Sequence, residues 1–452
     1  MKKSLLVFLL VSSFDTAFAQ WATVCGSGNG FVDNFEVFNG EMFATGFFTN
    51  VCGTTNGHVV RFDGTNWQAA GTGYPYAGHQ LKAIDTTLYF VGYQPTIDSN
   101  WVYTWDGSGF NKLGTGVYLT SAVIGFSQTA NLYAVESYNN HLVVCGEFDR
   151  VGNKQISGIM QWNGSEWDSL GSGLSGNIAG GPSIMYPHDM CVFGTDLVVV
   201  GNFLKAGGTT VNGIARWDGT QWHAFGDGFN AVVYGVAVFN GELYAAGEFT
   251  QSGGTNLKRI AKWNGSEWVD PGFGVFYQNT QYHSFIHTLK VIENRLFITG
   301  GFDKVESASG TVSCQAICAF DGTSVLTLSG GIPNREIEAV ALYQGELYAG
   351  GGMNNSNSFI TRYDGYHSLL LHEEEMTLHV APNPSADGRV WIASDAPLGS
   401  ILVYNEMGQE VLQVQSENTE EVLEFPTSGY YTLVIQTARG VSHRPVIVHR
   451  SF

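Results

Sequence analysis

Seven polar side chains recur at one equivalent position of an internally repeated sequence. The position lies four residues before the hydrophobic end of a strand-like segment, as Tyr234 lies before Val238, where alternation predicts an apolar residue. Imidazole nitrogens bind transition metals, so three histidines of the set could hold a metal ion with two carboxylates across from them. The histidines are His79, His188 and His287, and the other members of the set are Asp33, Tyr133, Tyr234 and Glu338.

The same set has two other interpretations. The side chains could bind a polar ligand directly, or they could form a rim whose polar groups simply face water. The chain contains no G-x-S-x-G, H-E-x-x-H, phosphate-binding or EF-hand pattern. Carboxylates that are distant in sequence can still meet in space, so carboxylate catalysis stays an alternative. Apart from the metal hypothesis, no cofactor is predicted.

The repeat occurs seven times and has two halves. The first half is an apolar segment with a late glycine, such as FNGELYAAGEF (239–249). The second half is a turn flanked by aromatic residues, such as RWDGTQW (216–222) and KWNGSEW (262–268). Asp-Gly or Asn-Gly between short aromatic or β-branched runs indicates a tight hairpin. Two hairpins per repeat predict a four-stranded sheet that must stack on its neighbours to bury both faces.

These repeats predict an all-β fold: a seven-bladed β-propeller over residues 20–371, followed by a small Ig-like β-sandwich. The repeats resemble those of kelch-like and galactose-oxidase-like propellers, and the resemblance implies architecture alone. In such a ring the seven polar side chains would surround the mouth of the central channel. The segment at 21–28 is similar to outer-strand segments such as 222–228, so it could complete the last blade. Residues 366–371 could supply the same strand.

Long aromatic segments connect the predicted blades on the same face. Aromatic rings stack on sugar faces while acids and amides bind hydroxyl groups, so these segments suit a glycan ligand. The same rings could instead pack the loops onto the blades. The candidate residues are Tyr74, Tyr76, Tyr186, Phe276, Tyr277 and Tyr282.

The first 19 residues have the features of a secretory signal peptide. Lys2 and Lys3 precede an apolar run, and Ala17-Phe18-Ala19 is a small-x-small cleavage site. No later stretch is long and apolar enough for a membrane span. The sequence therefore predicts a protein that is secreted or held on the outer cell surface. In that setting the cysteines could pair, and Cys25–Cys52 and Cys314–Cys318 are the preferred pairs.

Charge excludes one class of partner. The chain has 21 Lys and Arg against 40 Asp and Glu, a formal net charge of −19. A protein that reads nucleic acid needs a basic face for the phosphates, so no nucleic-acid partner is expected.

The C-terminal region differs from the repeats. After a linker at 372–376, residues 377–452 show alternating strands typical of a small β-sandwich. Pro382-Asn383-Pro384, Tyr404-Asn405 and Ser428-Gly429-Tyr430-Tyr431 resemble motifs of the type A C-terminal sorting domain of the type IX secretion system of Bacteroidetes. The resemblance implies that the type IX machinery reads this tail and that the propeller is then released or anchored. A plain Ig-like accessory module is the alternative.

Three functional hypotheses follow. The preferred one is binding of an extracellular glycan or protein through the channel-mouth face. The second is a metal-dependent or carboxylate-based enzyme, such as an oxidase, hydrolase or lyase, at the same mouth. The third is a structural adhesion component. The absence of catalytic motifs favours binding over catalysis.

Overall fold

The computed structural model describes most of the chain. The described residues are 20–25, 28–55, 58–71, 77–94, 99–120, 129–178, 185–279, 281, 283–333, 335–353, 358–364, 366, 379–381, 385–394, 397–405, 410–425, 427–437 and 440–448. The predicted signal peptide and the predicted linker at 372–376 lie outside these residues. The chain divides into two compact units, Met1–Asp364 and Gly365–Phe452.

The first unit is all-β, as the sequence predicts. Among its described residues, seven successive antiparallel groups of four strands can be traced, here numbered sheets 1 to 7 with the inner strand first. Sheet 1 is Val32–Phe38, Glu41–Gly46, Val59–Phe62, Trp67–Ala69; sheet 2 is Ala77–Ile84, Thr87–Tyr93, Ser99–Trp105, Phe110–Tyr118; sheet 3 is Asn131–Tyr138, His141–Glu147, Ile159–Trp162, Trp167–Ser169; sheet 4 is Tyr186–Phe193, Asp196–Asn202, Ile214–Trp217, Trp222–Ala224; sheet 5 is Val233–Phe239, Glu242–Gly247, Ile260–Trp263, Trp268–Val269; sheet 6 is Phe285–Ile292, Arg295–Gly301, Ile317–Phe320, Val325–Leu326; and sheet 7 is Arg335–Tyr343, Glu346–Met353, Ser358–Asp364, Gln20–Cys25.

Short strands and one 3-10 helix decorate these sheets. The short strands form small hairpins or pair with the segments that connect one sheet to the next. The 3-10 helix is Leu328–Gly330, and the short strands are Asn50–Val51, Thr54–Thr55, Arg150–Val151, Lys154–Gln155, Leu174–Ser175, Lys205–Ala206, Thr209–Thr210, Gln251–Ser252, Thr255–Asn256, Phe273–Phe276, Lys304–Ser307 and Gly310–Ser313.

The sheets follow one another in a closed, propeller-like cycle. Each inner strand contacts the inner strand of the next sheet, and that of sheet 7 contacts that of sheet 1. The strand Gln20–Cys25 supplies the outermost strand of sheet 7 by pairing with Ser358–Asp364. The hydroxyl of Thr361 also donates to the carbonyl oxygen of Ala22 at 2.8 Å. Of the two segments that could supply this strand according to the sequence, the N-terminal one therefore completes the last sheet.

The repeated turns explain why each sheet is a meander. Asn240 and Gly241 both have positive φ, 51° and 77°, as a type I′ hairpin turn requires. In the outer turn of sheet 4, Asp218 Oδ1 accepts the backbone N–H groups of Thr220 and Gln221, both at 2.8 Å. An Asp or Asn side chain thus stabilises the turn by replacing backbone partners that the bend removes.

The tryptophans of the outer turns lie between sheets. The indole of Trp222 in sheet 4 donates to the carbonyl oxygen of Leu170, which follows sheet 3, at 2.9 Å. Trp268 in sheet 5 makes the equivalent bond to Phe225, which follows sheet 4, at 2.8 Å. Because both rings are buried, these residues hold neighbouring sheets together rather than bind a ligand.

A β-bulge interrupts every inner strand of the described sheets. In sheet 5, Val233 pairs with Gly247 and Gly235 pairs with Ala246, which leaves Tyr234 as the extra residue. An extra residue shifts the two-residue alternation and re-aims the side chain at the bulge. This shift explains the polar residue at an apolar position of the sequence. The extra residues of the other six bulges are Asp33, His79, Tyr133, His188, His287 and Glu338.

A glycine faces each bulge because the bulged backbone comes too close for a side chain. A Cβ on Gly247 would lie far inside van der Waals contact with the carbonyl oxygen of Val232, and one on Gly201 would collide with that of Tyr186. The late glycine of each repeat therefore marks the bulge on the opposite strand. The equivalent glycines are Gly46, Gly92, Gly146, Gly300 and Gly351.

The second unit contains two antiparallel sheets in its described part. One has three strands, and the other has four. Val390 and Leu423 of the first sheet share a buried apolar cluster with Ile401, Leu433 and Val446 of the second. The strands are, in sheet order, His379–Ala381, Arg389–Ala393 and Glu420–Glu424, then Glu410–Ser416, Gly399–Asn405, Gly429–Thr437 and Gly440–Val448.

Two further expectations concern membranes and cysteines. Among the described residues, no helix has the length and apolar character needed to cross a membrane. Cys52 is disulfide-bonded, and the side chain of its predicted partner Cys25 lies outside the described part. Cys314 and Cys318 are free thiols, which corrects the predicted pair. The Cys314 thiol donates to the carbonyl oxygen of Ile317 at 2.9 Å instead.

The glycine opposite the bulge gives a direct test of the fold. Gly247→Ala should destabilise the protein by about 1–3 kcal/mol, because the added methyl group collides with backbone that cannot move alone. Gly254→Ala is the matched control, since an added Cβ there meets nothing within 4 Å. It should change stability by less than about 0.5 kcal/mol. Urea unfolding midpoints of the two variants measure the difference, and equal midpoints would contradict the bulge assignment.

Candidate functional site

The seven bulged side chains meet around one central cavity. The cavity has a volume of about 460 Å³ and is lined by residues from the inner strands of all seven sheets. Every member of the set identified from the sequence lines it: Asp33, His79, Tyr133, His188, Tyr234, His287 and Glu338. The bulges therefore bring together residues that are up to 305 positions apart in the chain.

Five of these side chains form a continuous arc of rings. Ring centroids are 4.7 Å apart for His79 and Tyr133, and 5.7 Å apart for Tyr133 and His188. The arc continues to Tyr234 at 5.1 Å from His188, and to His287 at 5.7 Å from Tyr234. One wall of the cavity mouth is thus aromatic.

Of the three imidazoles in the metal hypothesis, two have rings in direct contact with each other. His188 and His287 approach with ring centroids 5.2 Å apart, but Tyr133 lies between His79 and His188. In the described part of the chain, no three His, Cys, Asp or Glu side chains are grouped so that they could hold a metal ion. The three-histidine site stays a prediction.

Hydrogen bonds fix the proton position on two imidazoles. His188 Nδ1 lies 2.9 Å from the carbonyl oxygen of Tyr234, an acceptor, so this nitrogen carries the proton. Thr288 donates its hydroxyl proton to the carbonyl oxygen of Glu338 at 2.7 Å, so it accepts from His287 Nδ1 at 3.1 Å. Both rings therefore keep a free acceptor at Nε2.

The hydroxyl protons of the two tyrosines in the set are also engaged in hydrogen bonds. The Tyr234 hydroxyl donates to Glu248 Oε1 at 2.9 Å, and the Tyr133 hydroxyl is hydrogen-bonded to Glu147. Burial and the neighbouring carboxylates raise the pKa of both phenols, so they stay protonated at any physiological pH. The mouth consequently offers free acceptors and few free donors.

A carboxyl pair closes the ring where sheets 1 and 7 meet. Asp33 and Glu338 are hydrogen-bonded to each other, and His79 Nδ1 lies 3.3 Å from Asp33 Oδ2. Burial raises the pKa of Asp33 to about 8 and that of Glu338 well above its ordinary value. Two carboxyl groups can bond only through a proton, so the pair shares at least one at neutral pH.

Burial has the opposite effect on the histidines. It lowers the pKa of His79, His188 and His287 to about 4, because the charged imidazolium would lose its hydration. At neutral pH the three rings are uncharged. The residues at the mouth therefore carry little net charge despite the acidic chain.

The repeat pattern did not reveal a second, deeper tier of charged residues that also lines the cavity. Each member lies three residues beyond the bulge of its inner strand, and the members are Glu36, Lys82, Glu136 and Lys290. Lys82 pairs with Glu136 at 3.1 Å, while Lys290 donates to the carbonyl oxygen of Phe35 at 3.0 Å and lies 4.0 Å from Glu36. Comparing the repeats at this second position would have revealed the tier.

The residue after the bulge ties one inner strand to the next. Asn34 Oδ1 accepts the backbone N–H of Leu81 at 3.1 Å, and Gln80 Oε1 accepts that of Val135 at 2.7 Å. Asp189 Oδ2 accepts the N–H of Val236 at 3.0 Å. These side chains replace the ladder hydrogen bonds that separate sheets cannot make, so they hold the ring in register.

The predicted loop aromatics divide into three groups. Tyr186 lies beside the arc, with its ring 6.1 Å from that of Tyr133. Phe276 and Tyr277 lie at the end of the short strand Phe273–Phe276 and do not line the cavity. The remaining three, Tyr74, Tyr76 and Tyr282, lie outside the described residues.

Phe47 belongs to the mouth but was not predicted. Its ring lies 5.2 Å from His79, 6.0 Å from Tyr93 and 5.1 Å from Phe31. It follows the glycine opposite the bulge, where the other repeats carry residues as different as glutamate and glycine. A position that varies in this way gives no repeat signal.

The carboxyl pair predicts a pH-dependent effect of Asp33→Asn. The folded protein holds a proton on Asp33 up to about pH 8, whereas the unfolded chain releases it near the ordinary pKa of 3.8. Wild-type stability therefore falls as pH rises through this window, and the variant avoids the loss. The free energy of unfolding of the variant minus that of wild type should rise between pH 5 and pH 8, by at most about 1.4 kcal/mol per unit.

Asp106→Asn is the control for this measurement. Asp106 lies in an exposed outer turn where hydrogen bonds to Ser108, Gly109 and Asn111 lower its pKa, and sister turns carry Asn at the same place. Denaturant unfolding from pH 5 to pH 8 should show no trend for this variant. A flat difference for Asp33→Asn as well would show that the buried pair does not hold the proton.

Comparisons with known proteins give no family. No protein-family model matches the chain, and no curated protein is found as a relative. Solved structures with similarity include PorZ, a surface component of the type-IX secretion system of Porphyromonas gingivalis. It is 16% identical, with 92% of this chain and 59% of that chain covered and a TM-score of 0.42.

Two further structures can be compared. The extracellular domain of BT4673 from B. thetaiotaomicron is 10% identical, with 95% and 58% of the two chains covered and a TM-score of 0.44. The WD40 β-propeller domain of Doa1 is 12% identical, with 75% and 96% covered and a TM-score of 0.42. The chain spans less than two thirds of the length of PorZ and of the BT4673 domain. Similarities of this size support no inference about function.

Proposed function

We propose that this chain is an exported seven-bladed β-propeller that binds an extracellular glycan at the mouth of its central channel. Seven successive four-stranded groups and the closed cycle of inner strands support seven blades. The strand order within each blade is that of a simple meander, as in propellers in general.

One observation carries the binding proposal. Seven inner strands each deliver one polar side chain to a single cavity of about 460 Å³, which is a suitable size for the end of a glycan. The ring arc provides faces for the apolar side of a sugar, and the free Nε2 atoms accept its hydroxyl protons. A rim that only faces water would need neither donors that are already bonded within the protein nor an uninterrupted arc of rings.

A carboxylate-based enzyme is the second candidate. The Asp33–Glu338 pair holds a proton at neutral pH, which is the property of a general acid. Glu147 and Glu248 lie near the same mouth through their bonds to Tyr133 and Tyr234. Turnover of a bound glycan, lost in Asp33→Asn, would favour this candidate over simple binding.

The second unit is proposed to be the export signal. Its two sheets of three and four strands share one apolar core, as in an Ig-like sandwich. This arrangement supports the sorting-domain interpretation of residues 377–452. The type IX machinery would then be a partner, and the mature protein would be secreted or anchored on the outer cell surface.

Glycan binding should depend on the mouth and not on the outer turns. His188→Ala removes both a ring of the arc and a free acceptor, so binding of the full chain to its best glycan on an array should weaken at least about tenfold. His223→Ala is the control, because His223 lies at an outer turn, where it is bonded to Asp218 at 2.7 Å, and it does not line the cavity. Titration calorimetry with the array hit would quantify both variants.

Two results would count against glycan binding. One is the absence of any array signal for the wild-type chain. The other is an equal loss in His188→Ala and His223→Ala, which would indicate a binding surface elsewhere.

Export should depend on the second unit. In a Bacteroidetes strain with a working type IX system, the full chain should reach the medium or the cell surface. A chain without residues 377–452 should accumulate in the periplasm, because it lacks the segment that the machinery reads. Cell fractionation with an antibody to the propeller measures this, and unchanged export of the shortened chain would overturn the assignment.

A further inference from the structure

The carboxyl pair at the junction of sheets 1 and 7 is incompletely satisfied by the protein. The side chain of Asp33 is only 7% exposed, and no described residue donates a hydrogen bond to its buried Oδ1 atom. A proton shared with Glu338 can meet this need, and so can a donor that arrives with a ligand. Both carboxyl groups line the cavity.

In the described part of the chain, no lysine or arginine faces the pair. The groups that face it are His79, His287 and Glu336, and burial lowers the pKa of both histidines to about 4. The lysines of the cavity belong to the deeper tier. Lys82 is paired with Glu136, and Lys290 is bound to the carbonyl oxygen of Phe35. Buried carboxylates without a cation are unfavourable, which is why the pair keeps a proton.

Aromatic faces also lie beside the Asp33–Glu338 pair, at what is here called the Asp33–Glu338 corner of the cavity. His79 contacts the rings of Phe47 and Tyr133 at 5.2 and 4.7 Å, and Phe31 stacks on Phe47 at 5.1 Å. Aromatic faces attract organic cations as well as sugars. The net charge of −19 also draws cations towards the protein.

We propose that the Asp33–Glu338 corner binds a primary ammonium group, so that the glycan recognised at this mouth ends in a free amino sugar. The inference rests on the proposed glycan-binding function and names the class of sugar. An ammonium group is a better occupant than a metal ion, since the described residues provide no group of three ligands for a metal. Its three N–H donors can reach separate acceptors at 2.7–3.2 Å without such convergence.

Binding is coupled to proton release. When the ammonium group enters, it replaces the shared proton as the partner of the carboxyl groups, and that proton passes to the buffer. The ammonium group keeps its own protons, so no covalent bond changes. About one proton should be released per sugar bound below pH 8, where the pair still holds it.

The test is calorimetry on the full mature chain with glucosamine, N-acetylglucosamine and glucose. Measurements at pH 6 in two buffers of different ionisation enthalpy give both affinity and protons released. Glucosamine should bind at least about tenfold more tightly than N-acetylglucosamine, as expected for a hydrogen-bonded charge pair. Its binding should release about one proton, and binding of the two neutral sugars should release none.

The variant Glu338→Gln should reduce the ratio of the affinities for glucosamine and N-acetylglucosamine to about one, because it keeps the shape of the side chain and removes its charge. Glu267→Gln removes the same charge from an exposed outer turn and should keep the ratio. Asp33→Asn is the second variant if Glu338→Gln fails to fold, and thermal melting of each decides that. The ratio is the readout, so a general loss of affinity does not imitate the expected result.

The outcomes separate the two proposals. Equal affinity for glucosamine and glucose would overturn the ammonium site and leave glycan binding standing. No affinity for any sugar, together with a blank array, would overturn both. Tight binding of Zn²⁺ or Mn²⁺ alone that displaces glucosamine would assign the corner to a metal ion instead.

Discussion

The seven bulges facing seven glycines are the constraint on which this molecule depends. Without the extra residue, regular alternation would turn Tyr234 or His188 into the space between sheets, where apolar packing is needed. The bulge delivers that residue to the channel and restores the apolar positions after it. The next residue then accepts a backbone N–H of the neighbouring inner strand, as Asn34 and Gln80 do. One local irregularity thus creates the cavity lining and also joins the sheets.

Desolvation, rather than ion pairing, sets the chemistry of the mouth. Imidazoles lose their charge and carboxyl groups keep their proton, so groups of opposite type both become neutral. Ion pairs occur one tier deeper, where Lys82 meets Glu136. The mouth of the channel is therefore neutral, aromatic and rich in hydrogen-bond acceptors. Three residues further along the inner strands, the lining is charged.

The sequence predicted the elements that are repeated and missed those that are not. Repeat alignment identified the seven bulged residues and the meander turns because each has a physical requirement that every repeat must meet. Phe47 occupies a position with no such requirement, and no alignment of repeats could find it. The proton positions on His188 and His287 depend on partners brought from other sheets, and the Asp33–Glu338 pair exists only when the ring closes. The Cys314–Cys318 prediction relied on proximity in sequence, which does not fix the direction of a thiol.

Closure by the strand Gln20–Cys25 has a consequence for the order of folding. Thr361 and Ala22, which bond across this strand pair, are 339 residues apart. Closing so long a loop costs conformational entropy, and the pairing of Gln20–Cys25 with Ser358–Asp364 helps to offset that cost. The carboxyl pair lies at the same seam, between the first and last sheets. A partly folded ring therefore has no complete mouth, and the cavity lining is assembled only when sheets 1 and 7 have met.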